Sequence, residues 1–158
     1  MKRLDWKKLL ICLAIPLAVG GLAGILIQPD IPMYAAVKKP PLSPPGVVFP
    51  IVWTLLYMLM GISSYLILEA DAKAKPRARA LTVYGAQLIV NFAWPLLFFS
   101  AGAYLPAFLL LVFLWALVAY MAVLFWRIRK TAAWLQAPYL IWLTFAGYLN
   151  LGVYLLNG

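Results

Sequence analysis

Trp53, Tyr57, Gly61 and Ser64 recur at intervals of three and four residues, a spacing that puts them on one face of a helix. Two aromatic rings followed by two small residues fit two settings. They line a pocket while a neighbouring helix approaches the small end, or they belong to an aromatic belt at a membrane interface. Gln87, Asn91 and Trp94 repeat the pattern, and Pro95 follows at once. Proline has no N–H for the carbonyl four residues back, that of Asn91, so this turn carries a free carbonyl beside side-chain amides. Neighbouring helices or a ligand must satisfy them. A third stripe holds Trp142, Phe145, Ala146 and Leu149, with Asn150 at its edge. Its tryptophan needs a partner for the indole N–H, although packing alone also produces such stripes. The chemistry on offer is ring stacking with a few hydrogen bonds.

Much other chemistry is excluded. The sequence has no histidine, which removes imidazole acid–base catalysis and imidazole ligation of haem iron or zinc. Cys12 is the lone cysteine, so neither an intrachain disulfide nor a cysteine metal site is available, and no metal is expected. No hydrolytic catalyst is visible.

The elements that carry these residues are apolar segments over about 9–27, 47–68, 81–100, 105–126 and 134–156, none containing Asp, Glu, Lys or Arg. With 66% hydrophobic residues and a mean hydropathy of +0.96, the solvent for such a chain is a bilayer, which a helix of about 20 apolar residues crosses. The expectation is an all-α bundle of five transmembrane helices, a single domain over 1–158. An ion-coupled transporter or a lysine-linked retinal protein would need an ionisable group inside the membrane, and no segment has one. No internal repeat of the transporter kind is visible. The apolar run after Lys2, Arg3, Lys7 and Lys8 continues without a small-x-small cleavage site, so it reads as the first span, not a cleaved signal.

A net charge of +9 does not indicate nucleic acid, because the basic residues lie in short clusters between apolar runs. They read as topology signals, with contacts to anionic lipid as a further role. Five spans put Lys2, Arg3, Lys7, Lys8, Lys73, Lys75, Arg77, Arg79, Arg127, Arg129 and Lys130 on one side, and only Lys38 and Lys39 on the other. The positive-inside rule then predicts a cytoplasmic N-terminus and an external C-terminus, in a bacterial cytoplasmic membrane. The first connector carries Pro29, Pro32, Pro40, Pro41, Pro44 and Pro45. Such a stiff loop is either a lid over a cavity or an extended linker. Gly20-Gly21-Leu22-Ala23-Gly24 contains a GxxxG, which supports close helix contact within the bundle or between subunits.

Several stretches together resemble the translocator protein family, also called tryptophan-rich sensory or TspO/MBR proteins. They are Lys39-Pro40, Pro44-Pro45 with Phe49-Pro50, Val52-Trp53-Thr54-Leu55-Leu56-Tyr57, Gly61, Ser64-Tyr65, Gln87-Leu88, Asn91-Phe92-Ala93-Trp94-Pro95, Phe98-Phe99, Pro138-Tyr139-Leu140-Ile141-Trp142 and Leu149-Asn150. The resemblance implies a five-helix bundle, often a homodimer, whose cavity under the first loop takes tetrapyrroles such as protoporphyrin and haem, and isoquinoline and benzodiazepine ligands. It implies Tyr34, Trp53, Asn91, Trp94, Trp142 and Ala146 as cavity residues, to which the helical stripes add Tyr57 and Phe145. No obligatory cofactor is expected, and porphyrin is the ligand or substrate; without a histidine, metal-free protoporphyrin is favoured over haem. An alternative is light-dependent oxidative degradation of porphyrin, for which Trp53 and Trp142 are the catalytic candidates, and another is passive porphyrin or sterol transport. The chain departs from the family at Met33, Pro41 and Leu42, where aromatic residues are usual, and Leu151 follows Asn150 in place of the tyrosine of the animal sterol motif. Specific sterol recognition is therefore not expected.

Overall fold

A bilayer core has no water to satisfy backbone N–H and C=O groups, so a stretch crossing it bonds internally as a helix. The computed structural model describes residues 3–158 and contains five long helices: α1 (Trp6–Ile27), α3 (Val48–Glu69), α4 (Ala74–Pro95), α5 (Tyr104–Ile128) and α7 (Ala137–Asn157). Two short helices, α2 (Ile31–Ala35) and α6 (Lys130–Trp134), lie in the connectors. Five segments are long and apolar enough to cross a membrane, and no strand occurs among the described residues. The chain is an all-α integral membrane bundle. Lys2 lies outside the described residues.

Each helix end has a local cause. The Asp5 carboxylate accepts from the Lys8 N–H at 3.2 Å and caps α1. The helix α4 begins seven residues before the apolar segment expected from Leu81, because its first turns stand outside the apolar span and do useful bonding there. Arg77 Nη2 donates to the carbonyls of Ala70 at 2.6 Å and Ala72 at 2.9 Å, which lie just past the end of α3. After Pro95 the chain widens through Leu96–Ser100, where the Ala101 N–H reaches back five residues to the Leu96 carbonyl at 3.0 Å. Gly102, with φ of 60°, then supplies the left-handed step that starts α5. The last crossing is interrupted: Arg129 is extended, α6 follows it, and Pro138 occupies the first turn of α7.

Packing follows the side chains. The helix α1 lies against α3 and α4, α5 against α4 and α7, and α6 brings the chain back to α3. Any Cβ on Gly61 would come within 2.7 Å of the Cys12 carbonyl and Leu13 Cα, so this glycine sets the α1–α3 approach. Gly20 similarly makes room for the Tyr57 ring, whereas Gly21 and Gly24 meet nothing and open outward. Part of the GxxxG edge therefore serves contact inside the bundle. Where α1 begins, α3 ends: the Asp5 N–H donates to the Tyr65 hydroxyl at 3.1 Å, and Lys8 pairs with Glu69 at 2.9 Å. Met60, Leu114, Val118, Met121, Phe125 and Val153 fill the interior, while Leu10, Ile25, Ile89, Phe113, Ile141 and Leu155 are exposed. In this protein the exposed apolar surface is the part that faces lipid chains.

Candidate ligand site

The stripes of α3 and α4 meet below the first connector, and of the third stripe only Ala146, Leu149 and Asn150 face inward. Trp53 stacks on Tyr57 with ring centroids 5.6 Å apart, lies 6.5 Å from Trp94 and meets Tyr139 edge-on at 6.2 Å. Trp94 stacks on Phe98 at 5.4 Å. Tyr57 and Trp94 are buried and Trp53 is half-buried, so the α3 stripe faces inward and is no interfacial belt.

A continuous polar chain runs beneath these rings. The Tyr57 hydroxyl donates to Asn91 Oδ1 at 2.7 Å, Asn91 Nδ2 donates to the Tyr139 hydroxyl at 2.7 Å, and that hydroxyl donates to Gln87 Oε1 at 2.8 Å. Gln87 Nε2 approaches Met60 Sδ at 3.8 Å. Trp94 Nε1 donates to Asn150 Oδ1 at 3.0 Å, and Asn150 Nδ2 donates to the Tyr104 carbonyl at 2.8 Å. Helix-to-helix bonds thus occupy the amides that the sequence left open between helix and ligand. Asn91 retains a second N–H and a second lone pair.

Trp142 stands apart from this group. It meets Phe49 edge-on at 5.8 Å and Phe145 at 5.5 Å, and Phe145 in turn stacks on exposed Tyr148 at 6.2 Å. The inward face of α7 is Tyr139, Leu143, Ala146, Leu149, Asn150 and Val153, so Phe145 lies toward the outer edge of its stripe and Ala146 toward the interior. The indole N–H of Trp142 is buried and has no partner among the described residues.

The first connector is tied down across its length and covers the rings. Tyr34 on α2 meets Phe98 at 5.4 Å and Phe99 at 5.0 Å, and Lys39 Nζ sits 4.8 Å from the Tyr34 ring centroid. Ser100 Oγ donates to Asp30 Oδ2 at 2.5 Å and the Tyr148 hydroxyl to the Pro41 carbonyl at 2.7 Å. The Asn157 amide holds Lys38 on both sides: the Lys38 N–H donates to Oδ1 at 3.0 Å and Nδ2 donates to the Lys38 carbonyl at 2.8 Å. Pro40 packs where a Cβ on Gly152 would be, and Leu42 turns through a φ of 65°. The segment is a fastened cover and not an extended linker.

At the site the rings pack on one another, and two grooves lie elsewhere, between α5 and the last crossing. The expected residues Tyr34, Trp53, Tyr57, Asn91 and Trp94 come together, with Ala146 on the inward face of α7; Trp142 and Phe145 form a second cluster with Phe49. Sequence reasoning left Tyr139, Asn150 and Asn157 out of the site. The first two sat within recognised motifs, but nothing local marks the partner of any of them. No group of three or more potential metal ligands occurs among the described residues.

The model of the TspO/MBR family matches residues 12–156. The translocator protein homolog of Schizosaccharomyces pombe is 39% identical over 145 residues, covering 90% of this chain and 88% of that protein. The tryptophan-rich protein TspO of Chlorobaculum tepidum is 33% identical over 151 residues, 94% of this chain and 95% of its own. The translocator protein of Ovis aries is 40% identical over 118 residues, 74% and 70% of the two chains. With its five-helix bundle, its covered aromatic cluster and these matches, the chain belongs to the TspO/MBR family.

Proposed function

We propose that the protein binds a tetrapyrrole, metal-free protoporphyrin in the first instance, between the fastened connector and the aromatic cluster, and that isoquinoline- and benzodiazepine-type ligands share the site. The observation that carries this reading is the aromatic group Trp53–Tyr57–Trp94, joined to Tyr34 of the connector through Phe98. A flat apolar macrocycle is held by aromatic faces, and Lys38 and Lys39 on the cover suit its carboxylates. Because the rings now occupy one another, binding requires the cover to lift and half-buried Trp53 to swing aside. The unpaired Trp142 N–H is a donor for a ligand that arrives at the seam between the clusters.

The protein is read as one that binds, senses or passes on its ligand, with light-dependent oxidation at Trp53 and Trp142 as the alternative. The basic clusters support an N-terminus in the cytoplasm and a C-terminus outside, in a bacterial cytoplasmic membrane. The protein is proposed to form a homodimer, for which the open Gly21–Gly24 edge of α1 is available for helix contact.

The test is a protoporphyrin titration of the protein in nanodiscs, followed by tryptophan quenching in the dark and then in light, with Trp53→Phe and Trp142→Phe in parallel. Saturable quenching, weakened about tenfold in both variants with porphyrin absorbance stable in light, is the expected result. Absorbance loss requiring both tryptophans would replace binding by photo-oxidative degradation, and no saturable quenching would remove the tetrapyrrole assignment.

A further inference from the structure

At the end of the bundle away from the cover, a second feature is unused by this reading. Asp and Glu occur only at positions 5, 30, 69 and 71. No carboxylate side chain therefore follows Asp71, although Arg127, Arg129 and Lys130 cluster in the last turn between spans. Both salt bridges among the described residues are made by Lys8, and none reaches this cluster. Beside it runs a groove of about 390 Å³ between α5 and the last crossing, walled by Ala119 and Ala122 on one side and Ala133 and Ala137 on the other. Its lining is almost wholly apolar, with Arg127 and two tryptophans at its end. Trp126 and Trp134 meet edge-on at 6.1 Å, and Lys130 Nζ lies 5.2 Å from the Trp126 ring centroid.

We propose that this groove binds one anionic phospholipid, with an acyl chain along the alanine walls and the phosphate against Arg127 and Lys130. Four alanines leave a depression in a surface that faces hydrocarbon, which a lipid chain fills without desolvating any polar group. The tryptophans mark the depth at which headgroups begin. Cations there with no carboxylate partner attract an anionic headgroup. Because Arg127 forms part of the groove itself and Trp126 carries Lys130 above it, charge and chain are read together. A merely basic surface would not do this. The inference is independent of the tetrapyrrole reading.

Native mass spectrometry of the full chain in detergent, titrated with phosphatidylglycerol or phosphatidylcholine of identical chains, tests it. The wild type retains one phosphatidylglycerol about thirtyfold more tightly than phosphatidylcholine, the scale of two basic groups acting on one headgroup. Arg127→Gln with Lys130→Gln abolishes that preference, and Ala122→Leu, on the half-buried groove wall, displaces the lipid while leaving all charges in place. Lys73→Gln with Lys75→Gln, exposed at the same end but away from the groove, leaves binding unchanged. Equal retention of the two lipids would overturn the proposal, as would an equal loss in the Lys73/Lys75 variant, or a lipid retained by Ala122→Leu.

Discussion

At the scale of single residues, buried amides sort themselves by whether they have partners. Gln87 and Gln136 are both fully buried, but Gln87 accepts from Tyr139, whereas neither side-chain polar atom of Gln136 is paired among the described residues. Gln87→Leu takes away the acceptor of the Tyr139 O–H, which keeps only the bond from Asn91, and is expected to destabilise by ~1–3 kcal/mol. Gln136→Leu removes an unmet polar group and is expected to be neutral or stabilising. Thermal unfolding of the two variants in the same detergent checks the contrast, and equal losses would contradict it. The two tryptophans split in the same way: Trp94→Phe breaks the bond to Asn150 and lowers the unfolding temperature, while Trp142→Phe removes an unpaired donor and lowers it less. Periodicity made the inward faces of Tyr57, Asn91 and Trp94 legible from the sequence. It did not make Tyr139 legible, because its partners Asn91 and Gln87 lie 48 and 52 positions away, and helical spacing records a face and not what stands opposite.

At the scale of elements, the crossings were legible because an uncharged apolar run in a bilayer has one solution, the helix. Their ends were less so. The start of α4 lies among charged residues that carry no apolar signal, and the split between α5, α6 and α7 depends on one extended residue, Arg129. The prolines of the first connector hid α2, although Pro32 at a helix start is favourable. What fastens that connector was also invisible, since Asn157 is 119 positions from Lys38. Asn157→Ala removes both bonds to the Lys38 backbone. It is expected to speed amide hydrogen exchange at residues 36–42 and to raise the protoporphyrin association rate several-fold with little change in helix content. Unchanged exchange in that segment would show that the amide does not hold the cover.

At the scale of the whole molecule, α1 shows how the bundle uses its solvent: only Cys12, Pro16 and Ala23 are fully buried along it, Leu13, Leu17 and Gly20 are half-buried toward the bundle, and Leu10, Ile15, Leu22 and Ile25 are offered to lipid. Charge asymmetry gives the orientation a direct check, and buried Cys12 leaves little background for thiol labelling. A membrane-impermeant maleimide applied to intact cells is expected to label Ser43→Cys on the cover but not Lys75→Cys between α3 and α4, with the pattern reversed in inverted vesicles. The opposite pattern would invert the topology. The order of the helices and the family were legible in the motifs, but the ring-on-ring packing of the site was not, because it is set by helices far apart in sequence.

The central claim, that a tetrapyrrole binds beneath the cover and not on the outer surface, is tested most directly by locking that cover. Lys38→Cys with Asn157→Cys targets two residues already in contact: the substitution removes the amide's hydrogen bonds, and oxidation puts in their place a covalent tie whose formation a gel shift reports. The account predicts that the oxidised protein fails to take up protoporphyrin and that the same sample binds it saturably once reduced. Equal binding in the two states would mean that the ligand never passes beneath the connector.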